Sequence, residues 1–312
     1  MSDLVHVSVL LEKSIEGLNI KPNGTYFDGT LGGAGHSYEI LKKSTPNGKL
    51  YATDLDDYAI NRAKERLSEF DGRFTIIKDN FKNFASIKED LQIEGFDGIL
   101  LDLGVSSFQL DDRSRGFSYM ATDELLDMRM DKSNPLTAEK IVNEYSENDL
   151  KTILFEYGEE KFANSIVKNI LSERRVNPIR TVKQLNEIID KSIPVKFKKD
   201  GHPSKRTFQA LRIEVNGELD GLYEAITDMV HGLKKGGRMA VISFHSLEDR
   251  IVKKVFKELE RDCTCDKSLP VCICGKKKEI EIITKHPIVA SEQELEFNAR
   301  AKSAKLRIIE KI

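Results

Sequence analysis

The sequence predicts an α/β fold, an open and mostly parallel sheet interrupted by a long helical insertion. Three observations carry this expectation. From Thr25 short β-type runs alternate with helical periods, and a glycine-rich loop joins the first strand to the first helix. After Gly104 the alternation stops for about a hundred residues and then resumes. At roughly 150 residues per domain, the 312 residues suffice for two domains and a sizeable core. With 39% hydrophobic and 32% charged residues and only 8 prolines, the chain lies far from disordered or collagen-like compositions. Its 49 basic and 51 acidic side chains leave a net charge of -2, which excludes a uniformly basic nucleic-acid coat but leaves room for a local basic face.

Tyr26 to Asp28 reads as the first strand, running into Gly29-Thr30-Leu31-Gly32-Gly33-Ala34-Gly35-His36 and a helix from Ser37 to Lys43. Leu50 to Thr53 forms the second strand and stops at Asp54; Ala59, Ala63, Leu67 and Phe70 then repeat at helical spacing. Phe74 to Ile77 supplies the third strand and Phe96 to Asp102 the fourth, apolar enough for burial on both faces. The insertion shows helical segments at Leu136 to Tyr145, Glu147 to Tyr157, Lys161 to Glu173 and Val182 to Ser192. The βα rhythm returns with a helix faced by Leu219, Leu222, Ile226, Met229 and Leu233, a stop at Gly236-Gly237, and a strand from Arg238 to Phe244. Ser246 to Asp249 is expected to cap the next helix in the Ser-x-x-Asp manner, and Glu279 to Ile283 with Lys305 to Ile309 to close the sheet as an antiparallel pair. The expected domains are a core of 1–108 and 206–312 and an insertion of 109–205.

Val5 to Leu11 is apolar but short and lacks a basic leader and a small-residue cleavage site, so no secretory signal is expected. No stretch approaches the ~20 apolar residues that span a bilayer, and a mean hydropathy of -0.40 agrees; a cytoplasmic location without a membrane partner is expected. All 4 cysteines fall between Cys263 and Cys274, which favours thiols or a metal site over a stapling framework.

The glycine loop between strand and helix lets a ligand approach the backbone and the helix N-terminus, which suits an anionic or polar group. Its spacing is neither the G-x-G-x-x-G of dinucleotide binding nor a Walker loop, and a carboxylate, Asp28, leads it. A second acid, Asp54, ends the next strand. Together they suit S-adenosylmethionine, with a zwitterionic end and a ribose diol; read singly, the loop is a tight turn and Asp54 a helix cap. Phe81, after the third strand, fits either a purine cover or a core ring. His36 fits a cofactor contact or a helix cap, and Gln109 an adenine edge or a loop backbone.

Six blocks carry a resemblance. They are Gly29 to His36; Leu101 to Ser107 with Gln109-Leu110-Asp111; Arg115 to Ser118; Thr207 to Arg212; Ser243 to Arg250; and Ser303 to Arg307. Running from end to end, they resemble the bacterial 16S rRNA cytidine N4-methyltransferases of the RsmH (MraW) family. The resemblance implies a class I S-adenosylmethionine-dependent methyltransferase core, Rossmann-like, with a helical substrate-recognition insertion. It implies that Ala34, Gly35, His36, Asp54, Phe81, Asp102 and Gln109 contact S-adenosylmethionine. It also implies that the target is a cytidine in the decoding region of 16S rRNA within the 30S subunit, with a homodimer open as an assembly state. Asp102 is the candidate catalytic acid. General amino-methyltransferases follow this position with a Pro-Pro-aromatic loop, whereas here Leu103-Gly104-Val105 follows. The alternatives are a dinucleotide oxidoreductase, opposed by the missing G-x-G-x-x-G turn, and a non-catalytic assembly factor that retains the fold.

Two further patterns stand out. Lys191, Lys196, Lys198, Lys199, Lys205 and Arg206 cluster near the end of the insertion, as a solvated loop or a phosphate grip. Cys263-Thr264-Cys265 and Cys272-Ile273-Cys274 form two C-x-C pairs, which read as reduced thiols in a polar loop or as the ligands of a structural zinc.

Overall fold

The computed structural model describes residues 8–105, 110, 112–265 and 273–312, with backbone alone at 199 and 200. It divides into two compact units, Met1–Gly104 with Asp220–Ile312, and Val105–Leu219. The first unit holds a seven-stranded sheet among the described residues: β1 (Thr25–Asp28), β2 (Lys49–Asp54), β3 (Phe74–Lys78), β4 (Phe96–Asp102), β5 (Leu233–Ser243), β6 (Ile280–Ile282) and β7 (Lys305–Lys311). The order is β3-β2-β1-β4-β5-β7-β6, parallel except for β7 against β5 and β6 against β7. This is the Rossmann-like arrangement of class I methyltransferases. Because β1 lies between β2 and β4, the chain reverses its direction of travel across the sheet there, and a crevice opens outside the carboxyl ends of β1 and β4.

Helices α1 (Leu11–Leu18), α2 (Gly35–Lys43), α3 (Asp57–Arg66) and α4 (Phe84–Asp90) precede the insertion. The insertion contains α5 (Ala138–Glu144), α6 (Glu147–Glu156), α7 (Ala163–Arg174), α8 (Val182–Ser192) and α9 (Lys205–Asn216), and α10 (Leu222–His231), α11 (Ser246–Glu260) and α12 (Glu292–Phe297) follow it.

Alternation along β1 sends Tyr26 to one face of the sheet, where Leu10, Leu18, Ile40 and Leu50 join one buried cluster. Phe27 goes to the other face. There its ring meets Phe84 edge-on at 5.0 Å and Phe96 at 5.6 Å between centroids. Each fully buried ring stabilises the fold by about 2 kcal/mol. β4 is buried along most of its length, as its apolar run predicts, and both expected C-terminal strands pair antiparallel.

Three local expectations are corrected. Gly236-Gly237 does not stop a helix, because α10 already ends at Gly232, where a Cβ would meet the Phe84 ring at 2.6 Å; the glycine pair lies inside β5, where Gly236 has φ +75. The N-cap of α11 is His245 rather than Ser246, forming a capping box with Glu248. Asp249 is drawn away to Arg307, whose Nε lies 2.6 Å from its Oδ1. Lastly, α9 packs with the insertion: Phe208, Leu211 and Val215 share its core with Ile141, Leu154 and Leu185. The second core segment therefore begins at Asp220 and not at 206, and the insertion begins at Val105 and not at 109.

Within the insertion, Thr137, Ser146 and Thr181 cap α5, α6 and α8, and Thr181 forms a full capping box with Gln184. Arg212 pairs in bidentate fashion with Glu218, both contacts 2.8 Å. No helix among the described residues is long and apolar enough to cross a membrane.

Candidate active site

The glycine loop ties three strand tips together. Asp28, only 1% exposed at the end of β1, accepts the Ser37 hydroxyl on Oδ2 at 2.6 Å and the Thr30 N–H on Oδ1 at 3.1 Å. Thr30 Oγ1 accepts the N–H of Asp102, at the tip of β4, at 2.6 Å. Asp54, ending β2, accepts the Gly32 N–H on Oδ2 at 2.8 Å and the Asp56 N–H on Oδ1 at 2.9 Å. A Cβ at Gly29 would come within 2.4 Å of Leu101 Cδ2 and 2.9 Å of Phe81 Cβ, so only glycine lets the loop lie this close to β4 and Phe81. Gly32 and Ala34 both take left-handed backbone angles, φ +48 and 56, and α2 starts directly after them. For alanine that conformation is strained, and it persists because Ala34 is fully buried.

Acids crowd this end of the sheet. Burial, and then the negative charges of Asp28 and Glu248, push the Asp102 carboxyl well above the usual carboxylate range. Burial raises Asp28 to about 6 against the hydrogen bonds from Ser37 and Thr30, with Asp54 adding repulsion. Asp54 is also raised, chiefly by burial. Glu248 accepts the Phe244 N–H at 2.8 Å, and its Oε1 is 3.1 Å from His245 Nε2. His36, buried in the first turn of α2, brings Nδ1 to 3.8 Å from Asp102 Oδ2. The other oxygen, Asp102 Oδ1, is buried and has no hydrogen-bond partner among the described residues. An orphaned buried carboxylate oxygen is costly unless a ligand donates to it.

Ala34, Gly35 and His36 thus sit at the loop-to-α2 junction, Asp54 and Asp102 at the tips of the two strands that flank β1, and half-buried Phe81 in the turn after β3, all linked through one loop. Gln109 lies outside the described residues. Asp28, read in sequence with Asp54 as suited to S-adenosylmethionine but not named as a contact, joins this cluster, and so does Glu248, which was visible in sequence only as part of a helix cap. The residues fit S-adenosylmethionine: a buried acceptor without a hydrogen-bond partner among the described residues, a loop no Cβ can enter at Gly29, and a cluster of acids that a ligand with ammonium and sulfonium charges would help to ionise.

Residues 3–312 match the MraW methylase family. The chain is 55% identical over 307 residues to "Ribosomal RNA small subunit methyltransferase H 2" of Agathobacter rectalis, covering 98% of both chains. It is 56% identical over 307 residues to "Ribosomal RNA small subunit methyltransferase H" of Clostridium botulinum, covering 98% of this chain and 99% of that one. A protein with the same name from Lachnospira eligens is 53% identical over 308 residues, covering 98% of both.

Proposed function

The chain belongs to the MraW methylase family, and on that premise we propose that it methylates the exocyclic N4 of one cytidine in the decoding region of 16S rRNA on the 30S subunit. S-adenosylmethionine supplies the electrophilic methyl group. The observation that carries the reading is the orphaned Oδ1 of Asp102 beside the glycine loop, an acceptor suited to an amine N–H. Asp54 retains lone pairs for ribose hydroxyls after accepting Gly32 and Asp56, since a carboxylate offers about four acceptor positions. Phe81 offers a ring to the purine, His36 orients the Asp102 carboxylate, and Gln109 is assigned to the adenine edge.

Incubation with 30S subunits and labelled methyl donor, followed by mapping of the modified base, tests the proposal. The expected product is N4-methylcytidine at one site. Methyl transfer to C5 overturns it, because C5 attack needs a cysteine nucleophile and all 4 cysteines fall between Cys263 and Cys274. No methylation at all favours the non-catalytic assembly factor.

Cofactor affinity is expected to depend on pH. Asp28 and Asp102 are both raised in the ligand-free chain, so their stabilising effect is complete below the ordinary carboxylate pKa of 3.8 and is lost for Asp28 as pH rises through about 6. A cationic ligand lowers both values and releases protons on binding. Affinity should therefore tighten by roughly tenfold between pH 5 and pH 7. Calorimetry in two buffers of different ionisation enthalpy should show net proton release; identical heats after correction would refute the coupling.

For RNA, a basic face of α11 is a second candidate beside the cluster at the end of the insertion. Arg250, Lys253, Lys254, Lys257, Glu258 and Arg261 line a shallow groove of about 300 Å³. In the insertion, Lys198 is 2.6 Å from Asp190 and Arg206 donates to the Glu159 carbonyl, which occupies two of its cations. The Lys199 side chain lies outside the described residues. Neutralising Lys253, Lys257 and Arg261 together should reduce the slope of log K for 30S subunits against log salt by about 2 to 3, with cofactor binding unchanged. A slope equal to wild type would remove α11 from the interface.

A further inference from the structure

Among the described residues between Arg261 and Glu279, joining α11 to β6, none is buried. Among those described residues three sulfur atoms nevertheless converge: Cys263, Cys265 and Cys274 offer Sγ atoms all within 4.8 Å of one another. Cys263 and Cys274 Sγ are 3.9 Å apart. Zinc bound to sulfur at about 2.3 Å with tetrahedral angles separates its sulfur ligands by about 3.8 Å. Three backbone amides point at the same sulfurs: Thr264 N–H donates to Cys274 at 3.3 Å, Cys265 N–H to Cys263 at 3.4 Å, and Ile273 N–H to Cys265 at 3.3 Å. Amide donors of this kind hold sulfur ligands in a fixed orientation around a metal.

We propose that Cys263, Cys265 and Cys274 hold a structural zinc ion that fastens the end of α11 to the start of β6. An all-sulfur donor set with tetrahedral spacing selects a soft, four-coordinate ion. Each thiol that coordinates gives its proton to solvent, and no oxidation is involved, so three bound sulfurs leave the site with one net negative charge. Lys276, Lys277 and Lys278 follow directly in sequence and offset it. The remaining cysteine, Cys272, lies outside the described residues. The ion takes no part in methyl transfer; it supplies an anchor for described residues none of which is buried.

Elemental analysis of the full chain, purified with reductant and without chelator, tests the site. About one equivalent of zinc is expected, falling below about a tenth in Cys263→Ser and in Cys274→Ser. If those variants fail to fold, wild-type protein stripped and reloaded with Co²⁺ should show thiolate-to-cobalt charge-transfer absorption. Stripping the metal should also speed tryptic cleavage at Lys276 to Lys278 by roughly fivefold or more, with zinc restoring protection and the affinity for S-adenosylmethionine unchanged. Less than about a tenth of an equivalent in wild type after dialysis against zinc, or full zinc retained by folded serine variants, overturns the proposal.

Discussion

Asp102→Asn is expected to lower turnover on 30S subunits by about a hundredfold at saturating S-adenosylmethionine, the lower end of the range for loss of an acid–base group. The N4 amine of cytosine is a poor nucleophile because its lone pair is delocalised into the ring. An acceptor for one N–H localises that pair and removes the proton as the new bond forms. Asp102 can be that acceptor, because Oδ1 is buried without a hydrogen-bond partner among the described residues, and burial, then Asp28 and Glu248, raise its basicity. Asparagine keeps the shape and one acceptor but cannot take a proton. The backbone N–H of residue 102 keeps its bond to Thr30, so the loop should hold. Measuring at saturating S-adenosylmethionine separates this loss of turnover from any change in cofactor affinity. The wild-type rate should climb with pH as the raised carboxyl ionises, while the variant's profile stays flat. A defect that vanishes as S-adenosylmethionine is raised would instead assign Asp102 to binding alone.

Asp54→Ala is expected to weaken S-adenosylmethionine binding by about 1.5 to 3 kcal/mol, the usual worth of hydrogen bonds to a charged group. Two losses combine. The ribose hydroxyls lose an ionised acceptor, and the Gly32 and Asp56 N–H groups lose the carboxylate that fixes the loop beside β2. Calorimetry measures the change, and circular dichroism should report an intact fold because the sheet core does not depend on Asp54. Asp54→Asn should recover only part of the affinity, since a side-chain amide keeps a single acceptor oxygen. An unchanged dissociation constant in folded Asp54→Ala would return this acid to a purely local role.

Much of the site was legible because its parts are local in sequence. The loop from Gly29 to His36, the acid ending β2 and the acid ending β4 each follow a strand marked by its own apolar run, and the parallel order brings strand ends to one edge. Asp28 and Glu248 were harder to assign. That Asp28 is buried beneath the loop shows only in the fold, and Glu248 joins the cluster from more than a hundred residues beyond Asp102, across the insertion. The cations of α11 draw no notice in the sequence for a different reason: they are spread at helical spacing and form no run.

The sequence by itself determined the α/β class, the strand that leads each loop, the helical insertion and the family, since these rest on periodicity, glycine placement and contiguous blocks. Tertiary structure decided the rest. It moved α9 into the insertion, because Phe208, Leu211 and Val215 find apolar partners there. It turned a glycine pair read as a helix stop into part of β5. It also decided the electrostatics of the site: a carboxyl group's proton affinity depends on burial and on neighbouring charge, and Asp28, Asp102 and Glu248 become neighbours only when strands from distant parts of the chain align.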